Sequence, residues 1–255
     1  MEKDKVRIVV ISDTHEVEGW ENQVQDGDIL IHCGDFTMLG MKKEVESFKS
    51  KLLLLPHKHK IVIAGNHELT FDTEMMTIKR QEVNERFKSM KNVNNLEVKK
   101  IISECPHIHY LENSGVEVEG IRIWGSPYQP KFYFWGFQKG DQILPQIWQQ
   151  IPTGVDILVT HGPPSGVRDP DSELNPKGSK SLLEEVTKRV KPKLHVFGHL
   201  HEGYGWEEKE GILFVNASTC DESYTATHPS IAIDMDLKTK TPTVAGAKAK
   251  EFEFL

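Results

Sequence analysis

The sequence predicts a four-layer α/β/β/α sandwich, with two mixed β-sheets packed face to face and helices outside. Three observations predict it. In the first half, short β-branched runs alternate with amphipathic helical stretches, the signature of parallel β-α-β units. In the second half, strands outnumber helices and sit close together between turn residues, which adds antiparallel pairing. Polar clusters also follow several of the apolar runs, at the strand ends where α/β folds place their chemistry. The chain has 255 residues, which suits one domain spanning 1–255 with a sizeable core.

Val6 to Ile11 reads as a buried strand from its β-branched content. Asp28 to His32 is a second apolar run, ending at Gly34-Asp35. Lys42 to Leu55 places Val45, Phe48, Leu52 and Leu55 at helical spacing, and Pro56 stops the helix. Lys60 to Ala64 is the third strand. Asp72 to Met90 is charged and amphipathic, with Asp72 or Thr73 as its cap. Lys91 to Cys105 reads as a surface connection with a short helix. Tyr110 to Leu111, Val116 to Val118 and Ile121 to Trp124 are short runs between Asn-Ser-Gly and Glu-Gly turns, which predicts antiparallel hairpins. Val155 to Thr160 is a buried strand. Ser181 to Val190 is a helix started by Ser179 or Ser181 and ended before Pro192. Leu194 to Phe197, Ile212 to Val215 and Ile231 to Met235 are strands, and the Glu-Phe-Glu-Phe tail suggests another.

Composition narrows the function. Hydrophobic residues make up 38% and charged residues 27%, ordinary for a soluble globular protein. The net charge of −7 gives no basic footprint for duplex DNA or an anionic membrane. A phosphate-bearing substrate would therefore need local positive charge. Three cysteines without CxxC spacing form neither a disulfide framework nor a zinc ribbon, and they read as reduced thiols. With no signal-peptide pattern and no membrane-length apolar stretch, cytoplasm is the expected location.

The clusters Asp13-Thr14-His15, Gly34-Asp35, Gly65-Asn66-His67-Glu68, Thr160-His161-Gly162 and Gly198-His199-Leu200-His201 carry the chemistry, followed by Asn216-Ala217-Ser218. They offer Asp13, His15, Asp35, Asn66, His161, His199 and His201 as metal donors. This mixed nitrogen and oxygen set suits two divalent transition-metal ions such as Mn, Fe, Zn or Co rather than Ca or Mg alone. One ion can take Asp13, His15 and His201, and the other Asn66, His161 and His199. Asp35 must bridge them, because two cations about 3.5–4 Å apart need a shared anion. The loop at His199 and His201 must turn to send its imidazoles to different ions, and Gly198 and Gly203 would allow it.

These motifs, in this order from about residue 6 to 218, resemble the calcineurin-like metallophosphoesterase superfamily. Ile61 to Asp72, His161 to Pro164, Lys191 to Phe197, His201 to Gly205 and Asn216 to Cys220 are similar, more narrowly, to its metallophosphoesterase-domain-containing (brain protein 239) subfamily. The resemblance implies phosphoester hydrolysis by a water shared between two ions. It implies catalytic roles for Asp35 and His67, with His67 protonating the leaving alkoxide, and substrate contacts at Asn66 and His67. It also implies a phosphodiesterase acting on nucleotides, cyclic nucleotides among them. The aromatic segment 126–137 and Tyr204 offer walls on which a base would stack.

Other residues receive plainer expectations. His57 and His59 read as solvated, and His32 and His195 as packed within strands or supporting the site. Glu68 is expected to orient a ligand or to face the surface, and Arg168 and Lys177 to meet a phosphate or face water. Two alternative functions stand beside the diesterase. A phosphomonoesterase or protein phosphatase would carry an arginine in a Gly-Asp-x-Val-Asp-Arg-Gly pattern, but here Gly34-Asp35 runs on to Phe36-Thr37-Met38-Leu39-Gly40 without one. A non-catalytic scaffold that binds protein partners would not need the intact donor set.

Overall fold

The computed structural model describes residues 4–170 and 177–246. Its strands are β1 (Lys5–Ile11), β2 (Ile29–His32), β3 (His59–Val62), β4 (His109–Tyr110), β5 (Ser114–Val118), β6 (Ile121–Ser126), β7 (Gln129–Pro130), β8 (Gln138–Lys139), β9 (Ile157–Thr160), β10 (Leu194–Phe197), β11 (Gly205–Lys209), β12 (Ile212–Asn216), β13 (Ile231–Asp236) and β14 (Pro242–Val244). Its α-helices are α1 (Lys42–Leu54), α2 (Thr73–Ile78), α3 (Arg80–Arg86), α4 (Asn95–Ser103), α5 (Leu144–Trp148) and α6 (Lys180–Glu184).

The first sheet has the order β14-β13-β1-β2-β3-β4 and the second β11-β12-β10-β9-β6-β5. In the first, β1 to β4 run parallel and β13 and β14 add antiparallel pairs. In the second, β6, β9, β10 and β12 run parallel, with β5 and β11 antiparallel at the edges. Parallel strands need both faces covered, and β2, β9 and β10 are buried at every position.

The strand period of two sorts side chains into layers. Val6, Ile8, Val10, Ile29 and Ile31 meet Ile123, Ile157, Val159, Leu194 and Val196 in the core between the sheets. Their neighbours Val9, Ile11, Leu30 and Val62 face outward onto Val45, Phe48 and Leu52 of α1 and Val98 and Ile102 of α4. Leu158, Phe197 and Phe214 face the other way, onto Leu144, Ile147 and Trp148 of α5 and Leu182 of α6. The result is the four-layer α/β/β/α order. Among the described residues, no helix is long and apolar enough to cross a membrane.

Several local expectations change. The stretch from Asp72 to Met90 is not one helix. Asp72 caps α2 by accepting from the Met75 N–H at 2.9 Å, then the chain leaves helical geometry at Lys79 and restarts as α3. The run at Tyr110 forms no hairpin, because β4 pairs parallel with β3 at the edge of the first sheet; the hairpin is β5–β6. Ser179 caps α6, accepting from Leu182 N–H at 3.2 Å, and the helix continues as a π-helix over Glu185–Val190. His57 is buried with Nε2 3.0 Å from the Gln25 carbonyl, and His59 lies in β3 with Nε2 2.8 Å from Glu119. Sequence periodicity did not signal β7, β8 or β11, which are short or half-exposed. The Glu-Phe-Glu-Phe tail lies outside the described residues.

Ile31 sits at the centre of the inter-sheet core with no exposure. Ile31→Ala should lower unfolding free energy by about 3 kcal/mol. Leu54→Ala, at a side chain 85% exposed, should change it by less than about 0.5 kcal/mol. Urea denaturation of the two variants measures both, and equal effects would contradict the layer assignment.

Candidate metal centre

The carboxyl ends of the parallel strands of both sheets converge on one place. From the first sheet, the loop after β1 brings Asp13 and His15, the loop after β2 brings Asp35, and the segment after β3 brings Asn66, His67 and Glu68. From the second, the loop after β9 brings His161, the loop after β10 brings His199 and His201, and the end of β12 leads to Ser218. A parallel bridge between Ser12 and Ser218 joins the two sheets beneath the cluster.

Asp13, His15, Asp35 and His199 all adopt positive φ, at 51°, 41°, 55° and 69°. Left-handed backbone at such residues costs about 1 kcal/mol or more each. Backbone hydrogen bonds hold two of them, from Asp13 N–H to the Gly34 carbonyl at 3.0 Å and from His15 N–H to the Asp35 carbonyl at 3.1 Å. The expected turn between His199 and His201 is made by His199 itself and not by flexible flanking glycines. Gly198 is required for closeness: a Cβ there would stand 2.1 Å from Asp13 Oδ2 and from Ser12 Oγ.

The side chains form groups that meet at Asp35. His161 Nε2 lies 3.0 Å from Asn66 Oδ1 and 3.2 Å from Asp35 Oδ2. His199 joins Asp35 and His161 within ligand-sharing distance. On the other side, His201 Nε2 lies 3.5 Å from Asp13 Oδ1 and 3.3 Å from His15 Nε2, and His15 Nε2 lies 4.0 Å from Asp35 Oδ2. Neighbouring donors around an ion with bonds near 2.1 Å stand about 3 Å apart. The donor chemistry and spacing thus fit divalent metal ions. His15 Nδ1 is buried with no hydrogen-bond partner among the described residues, so none of them holds the ring at that atom.

Electrostatics agree with that fit. Burial pushes His199 down to about 3 and His15 down to about 4, leaving neutral imidazoles with free lone pairs. Burial would raise Asp13, but the hydrogen bond and charge of His201 hold it below the usual carboxylate range. Burial would likewise raise Asp35, and the charge of His161 outweighs it. The partners move the opposite way. His161 and His201 each rise to about 9 despite their burial, because Asp35 and Asp13 attract the proton. Two buried carboxylates thus draw positive charge into the cluster.

The surrounding residues orient these groups. Asp13 accepts from His199 N–H at 3.0 Å and from the Ser218 hydroxyl at 2.9 Å. Asn216, fully buried, donates to the Leu200 carbonyl at 2.8 Å, so this segment lies beneath the site and not at its rim. His161 Nδ1 donates to the Cys33 carbonyl and His201 Nδ1 to the Asp221 carbonyl, at 2.9 and 2.8 Å. His32 and His195 are buried beside hydroxyls of Thr14 and Thr160. Glu68 is fully buried and binds two loops together, its own after β3 and the one after β2, accepting from Asp35 N–H, Gly65 N–H and both Thr37 donors at 2.7–2.9 Å.

His67 adjoins the cluster, buried with its ring 4.6 Å from that of His15. Its N–H donates to Asp35 Oδ1 at 2.8 Å, and its ring Nδ1 donates to the Met38 carbonyl at 2.9 Å. A carbonyl only accepts, so Nδ1 carries a proton and Nε2 is the atom left for exchange. Trp135 stacks on the ring at 4.1 Å, and Phe132 meets His199 edge-on at 5.4 Å. Gln129 donates to Asn66 Oδ1 at 2.9 Å. The aromatic segment thus packs on the cluster itself.

Tyr204 does not come into the cluster. Its ring is stacked on His228 at 4.3 Å, and its hydroxyl donates to the Pro229 carbonyl. The tyrosine over the site is Tyr224, 4.8 Å from the His15 ring and 5.5 Å from that of His201. Nothing in its local sequence marks it. Arg168 donates to the carbonyls of Gly203 and Tyr204, and Lys177 pairs with Glu202 at 3.1 Å.

Comparison with known proteins gives a consistent picture. The family model for calcineurin-like phosphoesterase matches residues 6–203. Human metallophosphoesterase domain-containing protein 1 is 45% identical over 232 residues, covering 90% of this chain and 71% of that protein. A UPF0046 protein of Caenorhabditis elegans is 40% identical over 242 residues, covering 92% of this chain and 83% of its own length. One solved structure superposes with a TM-score of 0.62 at 13% identity over 94% of this chain and 98% of that chain, a likeness of fold.

Glu68→Gln keeps the shape but turns an amide N–H₂ toward donors that need an acceptor. The variant should be less stable by about 1–3 kcal/mol. Thermal or urea unfolding, compared with a surface control, reads the change; wild-type stability would refute the two-loop clamp.

Proposed function

The chain belongs to the calcineurin-like phosphoesterase family, and from that premise we propose a dinuclear-metal-dependent phosphodiesterase acting on nucleotide esters, cyclic nucleotides among them. The observation that carries this reading is the position of Asp35. Its carboxylate is close to His161 on one side and His15 on the other, at 3.2 and 4.0 Å, so it can be shared by both donor groups. Asp13, His15 and His201 would hold one ion, and Asn66, His161 and His199 the other. Mn²⁺, Fe²⁺, Zn²⁺ and Co²⁺ all suit this mixed donor set.

When bound, such a pair supplies Lewis-acid stabilisation of phosphoryl oxygens and an activated water near neutral pH. The protein's own residues do the rest. Asp35 and Asp13 supply the negative charge that retains cations in a chain of net charge −7. His67 lies with its ring 4.6 Å from that of His15 and Nδ1–H held on Met38, so a second proton, taken up at Nε2, is the one that would pass to the leaving alkoxide. Trp135 limits rotation of that ring. Asn66 and His67 would contact the phosphate. A diester is favoured over a monoester because the segment after Asp35 has no arginine to grip a dianion, and Arg168 is engaged with two carbonyls.

With Mn²⁺ the protein should hydrolyse bis(p-nitrophenyl) phosphate and a subset of cyclic nucleotides, and a chelator should abolish both activities. His67→Ala should lower kcat about 10²- to 10⁴-fold while keeping the Mn²⁺-dependent rise in Tm. Asp35→Asn should lose both turnover and that rise. Full metal uptake with no turnover of any ester would favour the scaffold alternative instead.

A further inference from the structure

Tyr224 has a role that its position alone explains. Its ring lies over three imidazoles, with centroids 4.8 Å from His15, 5.5 Å from His201 and 6.4 Å from His67. It is nevertheless 45% exposed, so one part of the ring touches the cluster and another faces solvent. Its hydroxyl makes no hydrogen bond among the described residues.

The backbone that presents this ring is strained. Tyr224 has φ 59°, a conformation that glycine or asparagine would adopt at less cost in an exposed turn. The turn is fixed by Asp221, whose Oδ1 accepts from Ser223 N–H at 2.9 Å, the Ser223 hydroxyl at 2.6 Å and Thr225 N–H at 3.1 Å. The Asp221 carbonyl also accepts from Tyr224 N–H at 3.0 Å and from His201 Nδ1 at 2.8 Å. One residue therefore ties the turn that raises Tyr224 to a side chain of the site. Strain of this kind persists where the surroundings over-determine it, and a large aromatic held at the mouth of a charged cluster has a use there.

We propose that Tyr224 is a specificity-determining residue, whose ring packs against a planar aromatic group on the substrate's phosphorus and so favours aryl or nucleoside esters over alkyl ones. The proposal rests on the phosphoesterase reading and names the substrate group that its site selects. On the other side of His67, the face of Trp135 is already covered by the imidazole, and Tyr204 is covered by His228. Tyr224 keeps open surface while lying over the His15 and His201 side of the cluster, as Phe132 does beside His199 on the other side.

The test uses Mn²⁺-loaded wild type, Tyr224→Leu and Tyr224→Phe, with unchanged Tm confirming that each variant folds. Bis(p-nitrophenyl) phosphate and methyl p-nitrophenyl phosphate share a leaving group and differ in the retained group. Tyr224→Leu should raise KM for the first roughly 10-fold with kcat nearly intact, and change the second less than about 2-fold. Tyr224→Phe should behave as wild type. Equal losses on both esters, no loss on either, or a Phe variant as impaired as Leu would overturn the proposal. Calorimetric binding of phenylphosphonate and methylphosphonate needs no turnover. Tighter binding of the phenyl compound that disappears in Tyr224→Leu supports the proposal even if hydrolysis fails, and equal binding to wild type overturns it even if hydrolysis succeeds.

Discussion

The Asp35 carboxylate is the point on which the rest of the site depends. It is buried and in left-handed backbone, with imidazoles of His161 and His15 on either side. An isolated buried carboxylate is costly, so it must be surrounded by positive charge and N–H donors. Glu68 grips its backbone N–H, and its own Oδ1 accepts the N–H of His67. Moving Asp35 would therefore disturb the second strand's loop, the third strand's loop and His67. The glycines beside it serve the same closeness. A Cβ at Gly65 would stand 2.3 Å from Asp35 Oδ1, so no larger residue fits.

The sequence made the layered fold legible because the strand runs alternate so regularly. Val6, Ile8 and Val10 point one way and Val9 and Ile11 the other, a pattern that only a sheet covered on both faces produces. Legibility failed where tertiary packing overrode the local period or the run was too short to show one. Residues 72–90 carry helical spacing throughout, yet tertiary packing of Met75, Met76, Val83 and Met90 splits them into separate short helices. The strand at His109–Tyr110 is too short for its own sequence to say which sheet it joins.

The candidate donors were legible for a different reason. Each sits directly after an apolar run, and the strand-end rule brings such positions together regardless of their separation in sequence. What could not be read was the chain's position between elements. Tyr204 lies near His201 in sequence but is turned onto His228, whereas Tyr224 reaches the site from a loop that no motif announces. Glu68 was ambiguous because a carboxylate in a polar loop can point outward or inward. Only the convergence of Asp35, Thr37 and Gly65 N–H groups on it decides the matter.

The placement of β13 has a consequence for how the molecule is made. β1, near the amino terminus, is completed on one side by β13, which comes from residues Ile231–Asp236. During synthesis β1 can pair with β2 early, but its other edge stays open until the residues of β13 have emerged. An open edge of β-branched residues is a template for wrong partners. The loop cluster at the top of the sheets closes equally late, since the bridge from Ser12 waits for Ser218. A growing chain thus holds Asp13, His15, Asp35 and Asn66 before the strands that bring His161, His199 and His201 to them exist.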